Sequence, residues 1–220
     1  MNYNWCFPYI KKDDIKLIYE IGARDCLDSI SLAKEFSCPV IAFECNPDCI
    51  KECKKTLFEN NLAITLIEKA VHEENKIVSF RPFNRSKYDN IGASSLFEID
   101  FVSNRLVTDP DYGRKDVQDI INVEAIRLDT FIDEAGAKPD LICMDIQEAE
   151  LIALKGLGEY IKDIKYIVFE ASYINTYKDG CTFMDVHNYL ILNNFQFVRT
   201  SSDGNTYAFC DFLYVNNLAC

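Results

Sequence analysis

Three polar clusters, each following an apolar run of strand length, carry residue types suited to gripping a nucleoside and moving a proton. The first is Glu20-Ile21-Gly22-Ala23-Arg24-Asp25-Cys26. Gly22 allows the backbone to pass close to a ligand with no Cβ in the way, and Glu20 can order the turn and face a cationic group. The second is Phe43-Glu44-Cys45-Asn46-Pro47. An acidic residue closing a second strand can accept hydrogen bonds from both hydroxyls of a ribose. The step from Glu20 to Glu44 suits one strand–helix–strand unit. Plainer readings stand beside these: an ordinary strand-to-helix turn for the first cluster, and for the second a surface glutamate favoured by a helix dipole.

The third cluster, Met144-Asp145-Ile146-Gln147-Glu148-Ala149-Glu150, surrounds the end of another apolar run. Asp145 either caps the helix that follows or stands beside a reacting centre as a general base, a role worth about 10²–10⁴-fold in rate. Glu170, after Tyr166-Ile167-Val168-Phe169, is the second candidate base. Ala70, Val71 and Gln147 complete the residues expected around a bound cofactor. His72, just past Val71, reads as part of a surface turn near the nucleoside base. His187 shares a helical face with Phe183 and Leu190 and reads as a core or boundary residue.

The elements that must position these residues follow an alternating pattern. Leu17 to Ile21 reads as a strand, Leu27 to Phe36 as a helix, and Pro39 to Phe43 as a strand. Pro47 to Asn60 is a helix with proline in its first turn, and Ala63 to Lys69 a third strand. Such alternation is the mark of a parallel α/β sheet with right-handed crossovers. Lys76 to Phe80 is a further strand, and Ile120 to Ile126 a strand antiparallel to an earlier one. The polar stretch 83–119, with Arg81 at its edge and Arg85, Lys87, Tyr88, Gly92, Tyr112 and Gly113 within it, reads as a substrate lid or a solvated connector. Leu128 to Ala135 is a short helix, Leu141 to Met144 a buried strand, Glu148 to Leu157 a helix, and Tyr166 to Phe169 a strand. Phe183 to Leu192 is the last helix. Phe195 to Arg199 and Ala208 to Val215 form an antiparallel hairpin around Ser201-Ser202-Asp203-Gly204-Asn205. Residues 1–220 are expected to form one domain, with 1–14 as an N-terminal arm whose aromatic residues pack on the sheet edge or fold over the cleft.

Composition narrows the partners. A formal charge of −12 repels a polyanion, so free nucleic acid is not an expected partner. A small neutral or cationic molecule suits the field better. The apolar runs are too short to span a bilayer, and the first residues lack the basic and apolar regions of a secretory signal, which makes the cytoplasm the expected location. The chain has 10 cysteines but no CxxC pair. Cys45, Cys49 and Cys53 share a helical face, yet neither histidine is near them in sequence, so they read as reduced small hydrophobes and no metal is expected.

Taken as an ordered set, the motifs resemble the FkbM family of methyltransferases. Its members share acidic-x-Gly-Ala-Asn-x-Gly, F-E-P-N-P, an asparagine-rich helix end, a Ser-Leu element, L-D-x-F and K-I-D-V-E-G-A-E. Here these correspond to Glu20–Cys26, Phe43–Pro47, Asn60-Asn61, Ser94-Ser95-Leu96, Leu128-Asp129-Thr130-Phe131 and Cys143–Glu150. Arg24 stands for the family's asparagine, Cys26 for its second glycine, and Gln147-Glu148 for its Glu-Gly. The resemblance implies a Rossmann-like class I methyltransferase fold: a mostly parallel seven-stranded sheet flanked by helices and closed by an antiparallel C-terminal hairpin. It also implies S-adenosylmethionine as cofactor and O-methylation of a hydroxyl on a small molecule or sugar. Two other functions remain open at this level. One is a non-catalytic module that keeps the cofactor site. The other is a nicotinamide-dependent oxidoreductase, against which the glycine-poor first turn and Asp25 argue, because they make a poor cradle for a pyrophosphate.

Overall fold

Runs of β-branched and aromatic residues buried on both faces form the central strands, as expected where helices cover a parallel sheet. In a computed structural model, which describes residues 2–87, 91–100, 117–201 and 209–219, the first half of the chain gives β1 (Ile18–Ile21), α1 (Leu27–Phe36), β2 (Val40–Phe43), α2 (Pro47–Phe58) and β3 (Ile64–Ile67). Then come β4 (Ala70–Val71), β5 (Lys76–Phe80), β6 (Ile121–Ile126), α3 (Leu128–Ala135), β7 (Leu141–Met144) and α4 (Glu150–Lys155). The chain ends with β8 (Tyr166–Ser172), α5 (Phe183–Leu192), β9 (Phe195–Thr200) and β10 (Phe209–Asn216). Among the described residues no helix is long and apolar enough to cross a membrane.

The large sheet has the order β3-β2-β1-β7-β8-β10-β9. Strands β3, β2, β1, β7 and β8 run parallel, and β10 runs antiparallel to both β8 and β9. This is the Rossmann-like α/β fold with an antiparallel C-terminal pair. The residues of its turn, Ser202 to Asn205, lie outside the described residues, as does Ala208. The chain builds outward from β1 to β3 and then returns to place β7 on the other side of β1, so the strand order reverses between β1 and β7. A crevice opens at such a switch point, outside the carboxyl ends of the strands.

Alternation along each strand sorts side chains between two cores. Tyr19, Ile21, Ile142 and Met144 face α3, α4 and α5. Ile18, Val40, Leu141, Cys143 and Val168 face α1 and the N-terminal arm, where Tyr3, Cys6 and Ile10 are buried. Glu20 falls on the α1 side by the same period of two.

A second sheet, β4-β6-β5, pairs β4 parallel and β5 antiparallel with β6. The two-residue β4 carries too little pattern to be read from sequence. Helix α4 begins later than the expected Glu148, because Gln147 and Glu148 have φ of 55° and 70°, the left-handed region, which no α-helix contains. Its N-cap is Ala149, so Asp145 does not cap it. Strand β8 runs on past Phe169 to Ser172, which puts Glu170 inside the strand and not at its end.

Candidate functional site

Gly22 has φ +87°, and a Cβ there would lie 2.1 Å from the carbonyl oxygen of Asp145. Glycine is therefore required because the end of β1 is pressed against the end of β7. The turn that follows is stitched to β2: Gly22 N and Ala23 N both donate to Phe43 O, at 2.9 and 3.1 Å. Arg24 and Cys26 hold φ of 52° and 60°, the conformation that costs an ordinary side chain roughly 1–2 kcal/mol. The backbone path that asparagine and glycine take easily is thus kept here by two residues that take it under strain.

Glu44 is 8% exposed and is held by backbone donors. Its Oε1 accepts from Cys45 N and Asn46 N at 2.8 and 2.7 Å, and its Oε2 accepts from Arg24 N at 2.8 Å. Burial pushes its carboxyl up, and these three donors pull it back. A carboxylate offers about four lone-pair sites, so acceptor capacity remains toward the cleft. Glu20 is 2% exposed, receives a hydrogen bond from the Ser29 hydroxyl, and is pushed well above the usual carboxylate range by burial.

These groups surround one cleft, partly open to solvent, placed where the strand order reverses. Glu20, Gly22, Ala23, Arg24, Asp25, Glu44, Cys45, Asn46, Ala70, Val71 and Asp145 all line it. Its charge is lopsided: Glu20, Asp25, Asp28, Glu44 and Asp145 face only Arg24 and Lys69, a lining that favours a cation. Tyr3 of the N-terminal arm and Ser94 and Leu96 of the polar stretch 83–119 also line the cleft. Sequence reasoning missed Asp28, Lys69 and Phe80, which line it too. Asp28 could have been found, since it lies one helical turn past the glycine turn.

Gln147 and Glu170 sit outside the cleft lining. The left-handed backbone at Gln147 sends its amide toward β8, where Nε2 donates to Asp145 Oδ1 at 2.7 Å and to Glu170 Oε2 at 2.9 Å. Burial, with Asp145, Asp211 and Glu150 nearby, pushes the Glu170 carboxyl up to about 9, against the pull of the Gln147 amide. Asp211, opposite Glu170 in the β8–β10 register, is pushed to about 6 chiefly by burial.

Described residues of the polar stretch 83–119 pack against this region. Ser94 Oγ receives Phe83 N at 3.1 Å and Asn46 Nδ2 at 3.4 Å, and Ser95 Oγ donates to Gln147 O at 2.7 Å. Gly92 lines the cleft, whereas Tyr88, Tyr112 and Gly113 lie outside the described residues. His72 is buried, not in a surface turn, and does not line the cleft: its N–H donates to Ile126 O at 3.0 Å and its Nδ1 accepts from Glu74 N at 3.0 Å. His187 sits at the edge of the core, with Nδ1 2.7 Å from Tyr214 Oη and its ring tilted on Phe183. Cys26 and Cys53 pack together with Ala23 and Ala42 as small core residues.

Comparison with known proteins places this geometry. Residues 20–202 match the family described as the Methyltransferase FkbM domain. No protein of curated function matches in sequence. Among solved structures, the chain is similar to magnesium protoporphyrin IX methyltransferase from Synechocystis PCC 6803 with bound SAM, at 11% identity and a TM-score of 0.50 over 92% of this chain and 70% of that one. It is also similar to a fibrillarin/Nop5p complex, at 14% identity and a TM-score of 0.51 over 94% and 74% of the two chains. A ribosomal protein L11 methylase from Lactobacillus delbrueckii subsp. bulgaricus gives 11% identity and a TM-score of 0.50 over 91% and 69%. Likenesses this distant speak to the fold alone.

Proposed function

The chain belongs to the Methyltransferase FkbM domain family, and from that premise we propose that residues 1–220 form one cytoplasmic methyltransferase domain acting on a hydroxyl of a small molecule or sugar. Its cofactor is S-adenosylmethionine, which when bound supplies a methyl group activated on a sulfonium. The residues present fit that molecule. Glu44, braced by three backbone N–H groups, is placed to accept from the ribose hydroxyls. Asp28 and Asp145 line the cleft together with Gly22 and suit a cationic ligand end, while Glu20, raised by burial, holds the turn through Ser29. Ala70, Val71 and Phe80 offer an apolar wall for the base.

On the acceptor side, Asp145 is the group that takes the hydroxyl proton. Glu170, raised to about 9, keeps its own proton at neutral pH and so leaves Asp145 as the base. Holding donor and acceptor in line supplies the larger part of the rate, up to about 7–11 kcal/mol. The acidic lining favours acceptors that are neutral or cationic over anionic ones.

The observation that carries this reading is the Glu44 carboxylate, fixed by the backbone of both neighbouring turns at the mouth of the switch-point cleft. Calorimetry with S-adenosylmethionine tests it. Binding should be measurable, and Glu44→Ala should weaken it at least about tenfold, or ~1.4 kcal/mol. An unchanged affinity in that variant would remove the ribose assignment. Methyl transfer across a panel of hydroxyl acceptors should be lost in Asp145→Asn; retained turnover would end the general-base role.

A further inference from the structure

The Glu148 carboxylate serves no cleft, yet it is among the most heavily engaged side chains in the molecule. It is 4% exposed and sits on backbone with φ 70°, where glycine would rest without strain. Its Oε1 accepts from Ser172 Oγ at 2.8 Å and Thr176 N at 2.6 Å, and its Oε2 accepts from Tyr177 N at 3.1 Å. Its carbonyl receives Cys181 N at 2.9 Å. The chain passes so close at Gly180 that a Cβ there would lie 2.3 Å from Glu148 Oε2. The segment after β8 is therefore wound around one buried carboxylate. A glycine would hold the turn at 148 more cheaply, since burying a carboxylate costs its hydration.

What that winding delivers is Tyr177. Its side chain is fully buried, and its hydroxyl points at two acceptors, Ala93 O at 2.6 Å and Gln147 Oε1 at 3.1 Å. The Gln147 amide turns its oxygen toward the phenol and its nitrogen toward the Asp145 and Glu170 carboxyls. The reverse would set an amide oxygen against the Asp145 carboxylate, which has no proton to give. Ser95 Oγ fixes the same residue through its backbone carbonyl.

We propose that Glu148 is a positioning residue which, through Tyr177, locks the Gln147 amide as the donor shared by Asp145 and Glu170. The proposal rests on the reading of Asp145 as the base, since it says how that base is paired with its proton-holding neighbour. Asp145 at the end of β7, Asp211 on β10 and Glu150 on α4 all push the Glu170 carboxyl up, and the Gln147 amide opposes them.

The test uses the full chain without added ligand, following side-chain carboxyls by ¹³C NMR across pH and backbone amides by hydrogen exchange. In Tyr177→Phe the amide is released, so Glu170 should titrate above its wild-type midpoint, while exchange at Thr176 and Tyr177 stays as in wild type. In Glu148→Gln the same upward shift should appear, together with exchange at those two amides at least about tenfold faster. An unmoved Glu170 midpoint in Tyr177→Phe overturns the proposal, because a merely structural loop would not alter that titration. Should Glu148→Gln fail to fold, Tyr177→Phe still decides. Absence of S-adenosylmethionine binding to the wild-type chain would instead strike the cofactor assignment and leave these titrations standing.

Discussion

Two buried glutamates, Glu44 and Glu148, face opposite ends of the same strand-end region and solve a similar problem by different means. Each accepts three hydrogen bonds, and each is tied to left-handed, non-glycine backbone: Glu148 at its own position, Glu44 through the N–H of Arg24. The donors to Glu44 are Arg24, Cys45 and Asn46, within one strand–helix–strand unit. Those to Glu148 come from Ser172, Thr176 and Tyr177, a whole helix and strand away. A site half assembled from local donors is readable as a motif and changes little with its surroundings. A site half assembled from distant donors leaves no such motif, and in the proposed function that is the half on which the acceptor is met.

The comparison can be broken most sharply at the seam between the two halves. Gly22→Ala would drive a Cβ into the Asp145 carbonyl at a left-handed φ. It should lower stability by about 4 kcal/mol or more, seen as a chain that does not give a cooperative melting transition. If it melts like wild type, the two halves are not in contact as described. Next, Glu148→Ala strands two backbone N–H groups and a hydroxyl; a loss of about 3 kcal/mol in urea unfolding is expected, larger than that of Glu44→Ala, whose place in the lining of the partly open cleft lets water replace the lost acceptor. Equal losses would erase the distinction between local and distant bracing.

A pH series separates the halves further. Burial raises Glu170 to about 9 and Glu150 to about 8, above the ~4.3 of an unfolded chain. The stability these groups contribute is complete below the unfolded value and is lost as pH climbs through the folded ones. Thermal midpoints should therefore fall between pH 6 and pH 9, and the fall should be smaller in Glu170→Gln. A midpoint flat over that range would contradict the burial of the acceptor-side carboxyls. The smallest effect belongs to the other turn: Arg24→Asn should stabilise by about 0.5–1 kcal/mol, relieving left-handed strain while keeping the N–H that serves Glu44. A destabilised variant would mean that the Arg24–Asp25 ion pair at 3.3 Å outweighs the strain.

The same contrast explains what could be read from residues alone. Helices α1, α3 and α5 and strands β5 and β7 follow their apolar periodicity to the residue, and the cluster around Glu44 announced itself because its partners are neighbours in sequence. The start of α4 did not. Gln147 and Glu148 are good helix formers, and only hydrogen bonds from beyond β8 hold them out of the helix. Strand β4 owes its existence to pairing with β6, more than fifty positions later. The bridging role of Gln147 was equally hidden, since it depends on the backbone handedness at one position.

The membership of β4 has a consequence of its own. Ala70 and Val71 are hydrogen-bonded into the small sheet, while Gly22 and Glu44 directly follow β1 and β2 of the large one. A molecule in the cleft thus acts as a mortise pin between two joined boards. Saturation adds a restoring free energy that grows with the logarithm of ligand concentration over Kd, and the thinner board, with its three strands, gains the most rigidity from it.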